Sequence, residues 1–333
     1  MKFLYLAGLA TASMIVSAPV RAQECGNVII AAMSWQSADV LANLDAFVLK
    51  NGYGCNSSVI AGDTVPTITS MVEKQQPDIA PEATITLLPE VAARGVKEGR
   101  VTSVSNPIPE GNVEGWYIPK YLADKHPEIK TVADALKQPK LFPAPENPSK
   151  GGVLMGPQGW GGTVVTAQLF KAFKADQAGF VLVDTGSAAG LDGAISRAYE
   201  RNRGFLAYYW TPTSLMGKYP MVRLEGGVAR DEAEWTRCTT VSSCPDPKPN
   251  YWTPSPTDTL VTERLSKRPG FAPALQYLKN RNWSTETVGQ VMVWMTDNQA
   301  TGTDGARHFL RTREDIWTKW VPEDVAKKIK ATL

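Results

Sequence analysis

Residues 156–174 read GPQGWGGTVVTAQLFKAFK, four glycines around Trp160 and helical spacing from there on. The spacing predicts a helix that begins near Thr163. Its first backbone N–H groups have no partner within the helix and carry partial positive charge. Gly161 and Gly162 have no side chain to keep a ligand away from those groups, so the loop is a cradle for a carboxylate or phosphate. It lacks the GK[ST] of a Walker loop and the spacing of a dinucleotide fingerprint. The plain alternative is a glycine-rich turn that only joins a strand to a helix.

The tryptophans favour the cradle. Trp35, Trp116, Trp160 and Trp210 each stand at a predicted strand-to-loop edge, where α/β proteins place the residues of a cleft. An indole face attracts a cation by about 0.5–2 kcal/mol, and several faces around one quaternary ammonium make a cage. A trimethylammonium group has no N–H to donate, so polar side chains bind it poorly and aromatic faces bind it well. Such a cage beside an anion cradle suits a zwitterionic betaine, its carboxylate taken by the N–H groups of Gly161, Gly162 and Thr163. Of the ten Trp, Trp283, Trp294, Trp317 and Trp320 lie in a helical C-terminal stretch and are expected to pack there. Trp235 and Trp252 flank the segment CTTVSSC and are expected to pack that loop.

The elements that must position these residues alternate. NVIIAAMSW, SSVIAG, KGGVLMGP, FVLVDTG and GFLAYYW read as strands. The stretches SADVLANLDAFVLKNG, TVPTITSMVEKQQ, TVVTAQLFKAFKA and LDGAISRAYERN read as helices between them. Alternation of this kind predicts α/β layers with mainly parallel sheets flanked by helices. At 333 residues the chain is long enough for two lobes with a cleft between them. The expected crossings lie near Asn106–Gly115 and Met216–Glu225, giving lobe 1 residues 23–110 and 222–333 and lobe 2 residues 111–221.

Residues 1–22, MKFLYLAGLATASMIVSAPVRA, read as a secretory signal peptide cut after Ala22; the apolar run is short and broken for a retained anchor. Of the 35 Lys and Arg, Lys2 and Arg21 leave with it, which brings the basic residues down to match the 33 acids. A neutral exported chain has no electrostatic reason to bind nucleic acid or an anionic membrane. Export agrees with four cysteines. Neighbours are expected to pair, Cys25 with Cys55 and Cys238 with Cys244, although four cysteines allow three connectivities. Their spacings fit no usual zinc pattern, and neither a metal nor a cofactor is expected.

An enzyme is the rival class. No GxSxG elbow is present, since Ser187 follows directly on Gly186 in TGSAAG. His126 and His308 are the only histidines, which leaves little scope for a Ser–His or Cys–His pair. Glu232 and Glu234 read as a solvated face. Sugar binding is a second rival because Trp stacks on sugars, but Asp, Asn and Arg are sparse beside the four Trp.

The chain resembles the periplasmic substrate-binding proteins of ABC importers for glycine betaine, choline and related quaternary amines. The resemblance is carried, in the family's order, by MSWQSADVLANLDAFVLKNGYGC, QPDIAPE, GWYIPKYLADKHPEI, GPQGWGGTVV and YYWTPTSLMGKYPMVRL. It covers most of residues 25–320 and is nearest to a branch that includes trimethylamine-N-oxide binders. It implies a two-lobed periplasmic binding protein fold of type II-like form. It also implies cage walls at Trp160 and Trp210, with Trp35 and Trp116 as further walls, and carboxylate donors at Gly161 and Gly162. Glu82 falls where some members place an acid near the cationic end. Two departures stand out: Gly162 replaces the Cys of many members, and Ala83 and Thr84 stand where many have an aromatic shortly after Pro-Glu. The missing aromatic would widen the pocket. The implied function is capture of glycine betaine or a related betaine, with trimethylamine N-oxide or choline as alternatives, and a monomer that delivers its ligand to an inner-membrane permease by lobe closure.

Overall fold

The computed structural model describes residues 25–333; the expected signal peptide lies outside them. The chain first lays down β1 (Asn27–Met33), β2 (Asn56–Gly62), β3 (Ile79–Ala83) and β4 (Val101–Ser105). Next come β5 (Val113–Pro119), β6 (Gly151–Met155), β7 (Phe180–Asp184), β8 (Leu206–Thr211) and β9 (Met221–Arg223). After a long excursion the chain adds β10 (Asp258–Thr262). These strands form two five-stranded sheets, ordered β2-β1-β3-β10-β4 and β7-β6-β8-β5-β9.

Each sheet is mixed, with one strand running against the rest. In the first it is β10, antiparallel to β3 and β4. In the second it is β5, antiparallel to β8 and β9. Both reversed strands are the ones that arrive from the other lobe, so a crossing strand enters its sheet from the cleft side while the βα units run toward the cleft. The two crossings lie side by side, tied by Asn112 and Ser255, each donating its N–H to the other's carbonyl at 2.8 and 2.9 Å. Gly111 makes the approach possible: its φ is +72°, and a Cβ there would run into the Ser255 carbonyl.

The return crossing comes later than the expected residue 222. Arg223 is still in the second sheet, and Leu224, Trp235, Tyr251 and Trp252 share the second-lobe core with Trp116, Val153 and Phe180. The first-lobe core is built on the amphipathic helix Gln36–Tyr53 and the C-terminal helices, where Trp283, Trp317 and Trp320 are buried. Trp294 is only half-buried and stacks on His308 at 3.9 Å. Deep in this core Arg281 faces Asp45 at 2.8 Å, with both side chains buried. Cys25–Cys55 and Cys238–Cys244 are the two disulfides. No helix among the described residues is long and apolar enough to cross a membrane.

Candidate functional site

The Gly-Trp-Gly loop leaves β6 and turns at once. Trp160 donates its backbone N–H to the Pro157 carbonyl at 3.1 Å, and its ring folds back over Gly156, where a Cβ would collide with it. The helix begins at Gly161, two residues before the expected Thr163, with Trp160 as its N-cap residue in extended backbone. Gly161, Gly162 and Thr163 thus form its first turn, the one whose N–H groups lack intrahelical acceptors. Gly161 packs on Leu87 of the first lobe, and the Tyr208 hydroxyl fills the space a Cβ on Gly162 would need. Thr163 is buried, and its hydroxyl has no hydrogen-bond partner.

Three of the four expected indoles meet. Trp160 stands edge-on to Trp35 from the first lobe, with centroids 6.0 Å apart, and to Trp210 from β8, 5.1 Å apart. A small pocket between the lobes is lined by these three rings, by Gly162 and Tyr208, and by Thr64, Thr84 and Leu87 of the first lobe. Trp116 is the exception. In the β5–β8 register Glu114 lies opposite Trp210 and Trp116 opposite Tyr208. Trp116 lies two pairs further along the sheet, fully buried against Phe173 at 6.4 Å, and does not line the pocket. Its expected place as a wall is corrected to the lobe core.

Glu82 takes a different part from the expected one. Its carboxylate is buried behind Trp35 and outside the pocket lining. It accepts the Trp35 indole N–H at 2.7 Å and the Ser37 hydroxyl at 2.9 Å. Burial pushes this carboxyl up to about 6, against the pull of Trp35, Ser37 and the distant Arg281.

The acid that does line the pocket is Glu114, which the sequence reading passed over with its neighbour Asn112. It is 4% exposed, and burial pushes its carboxyl up to about 7, opposed by the Trp252 indole, the Arg223 guanidinium and the Tyr208 hydroxyl. Its Oε2 has no hydrogen-bond partner. Tyr208 was also missed as a pocket residue; Trp252, outside the lining, stacks on its ring at 5.8 Å. Glu114 shares a strand face with Trp116, and Tyr208 with Trp210; that spacing was the available signal, but it needed the pairing of β5 with β8 to be read.

The lobes touch around the pocket. The Trp160 indole donates to Ser34 Oγ at 2.8 Å and to Asp63 Oδ1 at 3.0 Å, and Val65 donates its N–H to the Gly159 carbonyl at 3.0 Å. Trp235 donates its indole N–H to the Thr86 carbonyl at 2.7 Å. So Trp235 does more than pack the disulfide loop. Chemically the site offers aromatic faces and a buried acid, a setting for a methylated cation.

Comparisons with known proteins bear on the family and the fold. Residues 26–312 match the model of a family described as the substrate-binding domain of ABC-type glycine betaine transport systems. No curated protein matches the chain. Among solved structures, the glycine betaine/L-proline-binding protein of Borrelia burgdorferi superposes with a TM-score of 0.71 at 16% identity, over 91% of this chain and 99% of that one. An ABC-transporter choline-binding protein in complex with choline gives 0.70 at 17% identity, over 92% and 98%. Lactococcal OpuAC, closed on glycine betaine, gives 0.65 at 17% identity, over 89% and 100%. At these identities the superpositions establish the two-lobed fold.

Proposed function

We propose, on the premise that the chain belongs to the family of substrate-binding domains of ABC-type glycine betaine transport systems, that it captures a small quaternary or N-oxidised methylamine between its lobes. The observation that carries this reading is the convergence of Trp35, Trp160 and Trp210 on one pocket that also holds the buried acid Glu114. A methylated nitrogen in contact with the three faces would recover about 0.5–2 kcal/mol from each desolvated contact. The protein works in the periplasm as a monomer and hands its ligand to an inner-membrane permease, which reads the closed arrangement of the lobes.

Glycine betaine or a related betaine remains the first reading, with Gly161, Gly162 and Thr163 as donors to its carboxylate. Glu114 favours a second reading. An ionised acid in the lining repels a ligand carboxylate but accepts a hydroxyl, as in choline, and when protonated it donates to the oxygen of trimethylamine N-oxide. Calorimetric titration with glycine betaine, choline, trimethylamine N-oxide, sugars and simple esters decides among them. Binding of methylamines alone is the expected result. Binding of sugars alone, or turnover of an ester, would remove the proposal.

A further inference from the structure

Two of the three indoles that line the pocket donate their N–H to a carboxylate that lies outside it. Trp35 donates to Glu82 Oε1 at 2.7 Å, and Trp160 donates to Asp63 Oδ1 at 3.0 Å. Glu82 is 1% exposed, and its Oε2 has no hydrogen-bond partner. Among the described residues the cation acting on it is Arg281, which already faces Asp45 at 2.8 Å. A buried carboxylate is a costly way to hold an N–H, because desolvation penalises the charged form and a neutral amide would accept the same bond. The charge therefore has a use beyond orientation. A hydrogen bond from an indole to an anion pushes electron density into the ring, as linked hydrogen bonds polarise one another at low dielectric. The anion also adds its own attraction for a positive group on the ring's open face.

We propose that Glu82 and Asp63 are positioning residues that hold Trp35 and Trp160 by their N–H edges and make the ring faces more negative, so that the pocket selects a charged methyl head over a neutral one of the same shape. This rests on the reading of the pocket as a methylamine site. It assigns selectivity to groups that never touch the ligand.

The test compares each methylated nitrogen head with its uncharged carbon isostere: choline with 3,3-dimethylbutan-1-ol, and trimethylamine N-oxide with tert-butanol. Affinities are measured by calorimetry on the purified protein and on Glu82→Gln, which keeps an acceptor for Trp35 and removes the charge. The expected result is a wild-type preference for the charged partner that shrinks about tenfold in Glu82→Gln, the scale of one desolvated cation–π contact, while the neutral partner binds as before. A preference left intact in Glu82→Gln, or an equal loss for both partners, overturns the inference. Absence of any preference in the wild type overturns the underlying reading instead, so the two failures are distinct. If Glu82→Gln fails to fold, Asp63→Asn at the half-buried partner of Trp160 gives the same comparison.

Discussion

Trp160 uses its two ends differently: its face lines the pocket, and its N–H reaches Ser34 and Asp63 across the lobe gap. Truncation to Ala removes both, and Trp210→Ala removes a second face. Each should weaken methylamine binding by an order of magnitude or more by calorimetry, the usual cost of a buried aromatic anchor. Trp116→Phe should leave affinity within about twofold, because that ring sits in the lobe core; its effect belongs in the melting temperature. Glu114 gives a prediction in pH. Burial raises its carboxyl from an ordinary 4.5 to about 7. A folded value above the unfolded one means that folding takes up a proton, so this group's contribution is favourable below about 4.5 and is lost as pH rises through 7. Glu114→Gln should therefore raise stability at pH 8 by on the order of 3 kcal/mol at most. A cation bound against the carboxylate pulls its value back down, so binding should release a proton between about pH 5 and 7 and tighten over that window. Titrations in buffers of different ionisation enthalpy measure that release. Finding none would separate Glu114 from the ligand.

At the scale of elements, the antiparallel pairing of β5 with β8 puts Glu114, Tyr208 and Trp210 on one face, under the first turn of the helix Gly161–Ala172. That fit is tight at Gly162. A methyl group there would strike the Tyr208 hydroxyl, and Tyr208 cannot retreat because it is stacked between Trp210 at 6.0 Å and Trp252 at 5.8 Å. Gly162→Ala should cost about 1–3 kcal/mol of stability by overpacking. Adding Tyr208→Phe should return little of it in a thermal melt, because the ring carbons Cζ and Cε2 crowd the same space as the hydroxyl, and full recovery in the double variant would refute the clash with the ring. The Gly-Trp-Gly loop and its indole were legible in the sequence because glycine next to a helical run has few other uses. The helix start was misplaced by two residues because Trp160, which looks like loop, already serves as the cap. Glu114 and Tyr208 were not legible, since on an isolated strand they alternate like any half-buried pair. Tyr208 shares the Trp210 face of β8, and β5, arriving reversed from the other lobe, brings Glu114 opposite Trp210. Trp116 misled for the same reason, as a strand-edge position in sequence became an interior one once the register was set. Glu82 was rightly noticed as an acid near the indoles, but sequence has no means of telling a group in front of Trp35 from one behind it.

For the whole molecule, function depends on how lobe closure is linked to the pocket. Trp35 belongs to the first lobe and Trp160 and Trp210 to the second, so neither lobe alone presents the three faces. The crossings at Asn112 and Ser255 are joined to each other, which lets them bend as one hinge. Outside the pocket lining the lobes are bridged by several bonds, among them that of the Trp235 indole, which donates to the Thr86 carbonyl at 2.7 Å. This contact lies on the long excursion before β10 and does not line the ligand pocket. Trp235→Phe deletes that donor but keeps an aromatic ring under Arg230, which now stacks on the indole at 3.6 Å. One hydrogen bond is worth about 1 kcal/mol net, so the closed population should fall roughly fivefold relative to the open one. Where the open form is appreciably populated without ligand, apparent affinity drops by up to that factor. The loss should be the same for a methylated cation and for its carbon isostere, because closure is indifferent to charge. Stopped-flow release should show faster dissociation, and small-angle scattering should show a more extended particle without ligand. An unchanged dissociation rate would mean that the Trp235 contact does not hold the lobes together, and closure would then rest on the ligand and the remaining interlobe bonds, those of Trp160, Val65 to Gly159 and Ser214 to Gln36.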